Sequence, residues 1–158
     1  IEEYFDGDPG MQQAIGARGA KIEITNRMGD FNAILDFPPA PKLDVLNQLI
    51  PEKATKSELS GEKIFWGKGK CSQCHSGPAF EDGKMHDLQV ERFYKGRPEG
   101  PIKTFSLRGI KDSPPYLHDG RLPTLDDSVE FFNLILNTKL TKQDKIDLRN
   151  FYHYHLTD

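Results

Sequence analysis

Cysteine occurs twice in the chain, at Cys71 and Cys74, and His75 follows at once, so residues 71–75 read Cys-Ser-Gln-Cys-His. Two thiols this close in sequence, with an imidazole next to the second, restrict what the surrounding chain can become. Thiols three positions apart can reach the two vinyl groups on one side of a porphyrin. The following histidine then projects at the iron as the proximal ligand, the c-type haem attachment pattern. Covalent attachment lets a small chain hold such a group with little surrounding core. A thioredoxin-like dithiol fits less well, because no βαβ pattern surrounds the pair. A zinc site needs four ligands; with no second cysteine pair it would have to recruit a distant histidine to Cys71, Cys74 and His75. Gly77-Pro78 follows the motif, and a proline carbonyl there is expected to accept the His75 Nδ1–H.

The rest of the chain is organised around this motif. Thr55-Lys56-Ser57-Glu58 is a capping box. It opens a helix carrying Leu59, Gly61, Ile64, Phe65 and Trp66 that stops at Gly67 and Gly69. Trp66 reads as a core or rim residue. From 76 to 123 the composition is that of a loop, with Gly77-Pro78, Gly83, Gly96, Pro98, Gly100-Pro101, Pro114-Pro115 and Gly120. A loop region this long in a compact domain needs a reason, and wrapping a bulky cofactor is one. Two helices follow. Thr124 caps the first, whose Leu125, Val129, Phe132 and Leu136 share a face. Thr141 starts the second, with Leu148, Phe151, Tyr152 and His155 on one face. The only alternation resembling a strand is Lys21–Thr25. The expected class is all-α, with a helical domain over 56–158 and long haem-wrapping loops. An irregular arm or linker over 1–55 precedes it, with three prolines in 36–42.

Composition narrows function. Lys plus Arg total 21 against 24 Asp plus Glu, a net charge of −3, which gives no electrostatic footprint for nucleic acid. No stretch has the ~18–20 apolar residues of a membrane helix. The opening Ile-Glu-Glu-Tyr-Phe has neither a basic nor an apolar leader region, so a mature, cut or partial product is expected.

Gly61-x-x-x-Phe65 before the motif and Phe151-Tyr152 in the last helix resemble class I cytochrome c, in which the first and last helices cross and the glycine permits close approach. GPAFEDGKMHDL (77–88), KTFSLRGIKDSPPYLHDGRLPTLDDSVEFFN (103–133) and LTKQDKIDLRNFYHYHL (140–156) resemble the C-terminal haem domain of the bacterial di-haem cytochrome c peroxidase/MauG family. The resemblance covers roughly 57–158. It implies one covalent haem c on Cys71 and Cys74 with His75 proximal. It also places Arg108 and His118 close to the haem, at the propionates. The family's sixth ligand, often methionine, falls here on Phe132, which cannot ligate iron. His118, 43 residues after His75, and Met28 in the arm are the distal candidates. An open site, or a ligand from another chain, is the remaining choice. Met85 and His86 are expected on the proximal side, and His153 and His155 at the surface.

The resemblance implies an exported, periplasmic protein, because haem is attached to this motif outside the cytoplasmic membrane. The expected function is one-electron transfer with protein redox partners, alone or beside other haem subunits of a complex. The alternative is a peroxidase- or oxygenase-like enzyme with an open iron. Against it stand the single haem motif and the lack of a clear distal acid–base residue.

Overall fold

The computed structural model describes residues 24–31, 40–88 and 101–155. The chain forms two compact units, Ile1–Asp36 and Phe37–Asp158. In the first, the described residues form one helix, α1 (24–31). Ile24 and Thr25, the end of the alternating Lys21–Thr25 stretch, lie in this helix. Ile24, Met28 and Phe31 follow helical spacing at i, i+4 and i+7. Met28 is 42% exposed.

In the second unit, α2 (Lys56–Trp66), α3 (Leu125–Ile135) and α4 (Lys142–His155) are joined by turns and a two-stranded antiparallel ribbon. The ribbon pairs β1 (Met85–His86) with β2 (Ile102–Lys103), Met85 opposite Lys103 and His86 opposite Ile102. The described structure is therefore mostly helical with very little sheet, and none of its helices is long and apolar enough to cross a membrane.

Each of these three helices starts at a threonine, for one physical reason. Thr55, Thr124 and Thr141 each accept a backbone N–H three residues on, while Glu58, Asp127 and Asp144 reach back to the threonine N–H. Two orphan donors are satisfied at each start. Helix α2 ends at Gly67, whose N–H returns to the Ile64 carbonyl.

Helices α2 and α4 cross at Gly61. A Cβ there would lie 2.0 Å from the Asp147 carbonyl oxygen and 2.8 Å from Phe151 Cβ, so only glycine admits the contact. Around the crossing, Phe65, Phe80 and Phe151 are completely buried. The Phe65 ring centroid lies 5.2 Å from Phe151 and 5.7 Å from Phe80. Leu148 and Tyr152 complete the buried face of α4; the His155 side chain lies outside the described residues. On α3, Leu125 and Val129 are buried, and Phe132 and Leu136 half-buried.

The stretch 40–55, read from sequence as part of an arm, belongs to the same compact unit as the helices. Leu43 and Leu49 form a bridge, and Leu49 enters the core at 5% exposure. Its N–H donates to Glu62 at 2.6 Å, and Lys42 pairs with the buried Glu58 at 3.0 Å. Short turns with alternating exposure hide this packing from a reading by periodicity.

Candidate functional site

The site begins where α2 ends. Gly69 N–H returns to the Ile64 carbonyl at 2.8 Å, and a Cβ on Gly69 would meet that same oxygen at 2.7 Å. Lys70 takes a left-handed φ of +59° and leads into a tight turn over Cys71–Gln73. His75 N–H closes the turn on the Cys71 carbonyl at 2.9 Å. One short helical turn thus places Cys71, Cys74 and His75 together on the wall of a single cavity.

His75 Nδ1 lies 3.0 Å from the Phe80 carbonyl oxygen. The expected acceptor was the carbonyl of Pro78; the structure moves it two residues on. Gly77 (φ +71°) and Phe80 (φ +53°) both turn left-handed, and Phe80 N–H closes on the Gly77 carbonyl at 3.1 Å. The resulting turn aims the Phe80 carbonyl at the imidazole. A proton on Nδ1 leaves the Nε2 lone pair available to ligate a metal. Burial lowers the His75 pKa, against backbone hydrogen bonds to Phe80 and Phe105, which favours the neutral form that ligation requires.

The cavity has a volume of about 490 Å³, inside the range of ~300–1,000 Å³ usual for small-molecule and cofactor sites. Its walls come from the Cys71–His75 turn, β2 and the segment after it, the loop around Tyr116–His118, and one face of α3. Leu107, Leu125, Val129, Leu140 and Leu148 make it apolar. Among its described lining residues there is no aspartate or glutamate, whereas Lys70, Lys103, His86 and His118 all border it. An apolar slot with cationic groups at its margin matches a flat apolar group carrying carboxylates. The two thiols could bond such a group covalently and the imidazole could ligate its metal, so the residues present fit a c-type haem. Among the described residues no group of three or more His, Cys, Asp or Glu side chains is placed to hold a metal ion directly, so zinc finds no four-ligand set.

Burial pushes the Cys71 thiol up to about 11, opposed by the Tyr152 hydroxyl, which donates to Cys71 Sγ at 3.2 Å. Burial also raises Cys74. Tyr152 belongs to α4, so the helix crossing at Gly61 sets the environment of the first thiol. Sequence reading put Tyr152 on a core face without linking it to the motif; position i+1 from the core residue Phe151 was the available signal.

The other expected residues are placed as follows. His118 borders the cavity from an exposed loop closed by the Tyr116–Leu122 bridge. Arg108 is half-buried next to Leu107, with its N–H on Ser106 Oγ at 3.1 Å, and its side chain is not among the lining groups. Phe132 lines the cavity beside Phe131. Met28 belongs to the other unit. His86 borders the cavity and binds Asp82 at 2.7 Å, while Met85, on the opposite face of the ribbon, is 58% exposed. Trp66 is 43% exposed and packs edge-on against Phe65 at 5.2 Å, a rim position. His153 is exposed. Gly96 and Pro98 of the loop-like stretch lie outside the described residues.

No family model matches the chain. Among curated proteins it is similar to the cytochrome c551 peroxidase of Nitrosomonas europaea, at 30% identity over 77% of this chain and 40% of the relative. It is similar also to the methylamine utilization protein MauG of Methylorubrum extorquens, at 31% identity over 78% of this chain and 36% of the relative. The chain spans between 32% and 40% of the length of the curated relatives it matches. Among solved structures, a MauG-like protein associated with microbial copper homeostasis superposes with a TM-score of 0.58 at 22% identity, over 70% of this chain and 49% of that one. That likeness is one of fold. The relatives are thus cytochrome-c peroxidases and MauG, the group that the motifs resemble.

Proposed function

We propose that the chain is a haem c-bearing domain of the cytochrome c peroxidase/MauG type that passes single electrons to and from protein redox partners. One haem c is held by thioether bonds to Cys71 and Cys74, with His75 as axial ligand. The observation that carries the reading is the convergence of both thiols and the imidazole on one apolar cavity whose described lining holds no carboxylate. The bound haem supplies an iron that changes oxidation state by one electron. Around it, the Phe80 carbonyl holds the proton on His75 Nδ1, the leucines exclude water, and Arg108 and His118 serve the propionates. The protein works in the periplasm or another exported location, with further haem-bearing portions or subunits beside it.

A second reading, a peroxidase- or oxygenase-like enzyme with an open iron, is favoured by Phe132, which lines the cavity and has no ligating atom.

The experiment is an optical and EPR spectrum of the purified protein, ferric and ferrous, with and without carbon monoxide. Haem that resists acid–organic extraction, and is released in the Cys71→Ala/Cys74→Ala variant, supports covalent attachment. Loss of the spectrum in His75→Ala supports the axial assignment, and an unchanged spectrum overturns it. Low-spin iron that ignores carbon monoxide supports electron transfer, and His118→Ala and Met28→Ala then identify the sixth ligand. High-spin iron that binds carbon monoxide moves the enzyme reading forward.

A further inference from the structure

We propose that Ser106, Thr104 and Asp82 are positioning residues that brace the axial imidazole by holding the Phe80 carbonyl in place. The proposal rests on the reading of His75 as haem ligand.

The peptide that carries this carbonyl is pinned on both sides. Before it, the Ala79 carbonyl accepts the Ser106 hydroxyl at 2.6 Å. After it, the Asp82 carboxylate accepts Lys84 N–H at 2.9 Å and His86 Nε2–H at 2.7 Å, together with a hydrogen bond from the Thr104 side chain. Between the pins stands Phe80, a non-glycine residue at φ +53° with a completely buried ring. A left-handed conformation is strained for an L-residue other than glycine, and such a backbone persists only where its surroundings over-determine it. The buried ring, packed on Phe65, fixes one side of the turn. The three hydrogen-bonded side chains fix the other.

The brace is built from the cavity wall itself. Thr104 and Ser106 follow β2, Thr104 is 7% exposed, and its N–H donates to the Lys84 carbonyl at 3.0 Å. The wall and the carbonyl therefore move together. A groove wall needs only shape, whereas this one ends in three polar contacts on the short loop that orients the imidazole. Partners of this kind fix a ligand's ring orientation and raise its basicity, and their removal typically costs about 10–100-fold in metal affinity or activity.

The test uses the haem-loaded protein with Ser106→Ala, Ser106→Thr and Thr104→Val. A looser Nδ1–H···O bond makes the imidazole less basic and favours ferrous iron. Ser106→Ala is expected to raise the ferrous-to-ferric ratio at a fixed potential about tenfold, an upward shift of about 59 mV for a one-electron couple. It is also expected to speed solvent exchange of the His75 Nδ1 proton, read by NMR, about tenfold. Ser106→Thr restores both, and Thr104→Val changes both in the same direction. Asp82→Asn also raises the potential by removing a charge; faster proton exchange in that variant assigns it to the brace. If Ser106→Ala does not accumulate, Ser106→Cys gives the same two readouts. Unchanged potential and unchanged proton exchange in Ser106→Ala or Ser106→Cys, with covalent haem and His75 ligation intact, overturn the brace. Absence of covalent haem, or an unchanged spectrum in His75→Ala, overturns the reading beneath it.

Discussion

Gly61→Ala tests whether the α2–α4 crossing is what holds the cavity together. In an ordinary helix interior this exchange is favourable by roughly 0.5–1 kcal/mol, because glycine loses more backbone freedom on folding. Here the new methyl would lie 2.0 Å from the Asp147 carbonyl oxygen, 2.6 Å from its carbon and 2.8 Å from Phe151 Cβ. None of these is the far end of a flexible side chain, so no rotamer change relieves the clash. The helices must separate, and overpacking of this kind typically costs about 1–3 kcal/mol. Taking the upper figure and subtracting the helix gain, the net loss is about 2 kcal/mol. At 2–4 °C per kcal/mol for a chain of this size, the midpoint of thermal unfolding falls by roughly 4–8 °C. Urea unfolding of the haem-loaded protein, followed by circular dichroism, measures the free energy directly. A variant as stable as the parent, or more stable, would refute the reasoning, since the helix propensity term would then be acting alone. The perturbation also reaches the site, because Tyr152 on α4 donates to Cys71 Sγ.

Further outcomes are expected. The Asp82 pKa is lowered to about 2, first by the Lys84 N–H and then by His86 and Thr104, against some burial. Its folded value lies below its ordinary one near 3.8, so its stabilisation is full above that value and is lost as pH falls toward 2; an acid titration should show a shallower fall in Asp82→Asn. Glu58→Ala removes the carboxylate that caps Thr55 N–H and pairs with Lys42, so urea unfolding should show a loss of about 2 kcal/mol, with Glu58→Gln losing less. Phe132→Met places a thioether on the cavity wall, and a low-spin spectrum with weaker carbon monoxide binding is expected; an unchanged spectrum means the position does not face the iron.

What was legible in the sequence was local. The Cys71–His75 turn is five residues long and its spacing implies its geometry. The Thr55 and Thr124 starts and the faces Leu125–Val129 and Leu148–Phe151–Tyr152 follow from single-helix periodicity. The class, mostly helical, follows from these. The acceptor for His75 was not legible, because it is a backbone atom whose direction depends on the left-handed turn at Gly77 and Phe80, and a phenylalanine gives no sign of positive φ. The pairing of β1 with β2 joins two-residue strands, too short for alternation to register. Leu49 entered the core from a segment whose neighbours Val45 and Leu46 are 98% and 71% exposed, so no periodic face marked it. The brace from Ser106 to Ala79 spans 27 positions and exists only once the ribbon has formed.

The placement of charge gives the last prediction. Acidic side chains outnumber basic ones in this chain by 24 to 21, yet among the described residues none borders the cavity, while Lys70 and Lys103 do. In a low-dielectric slot, a carboxylate beside another carboxylate raises the free energy of both, and a nearby cation lowers it. A cavity that takes a group carrying carboxylates should therefore shed acids from its wall, as the described wall here has. Lys103 stands at the end of β2, opposite the exposed Met85 and next to the buried Thr104, so its charge can be inverted without opening the core. Lys103→Glu replaces a positive charge on the cavity wall with a negative one, which would stabilise the ferric form of a haem bound there. A redox titration should show the potential falling, and the shift should shrink as salt is added, because the position is exposed. A potential that stays in place at low salt would mean that the lysine lies too far from the iron to be felt, and that the absence of acids from the wall answers to packing rather than to the charge of the group inside.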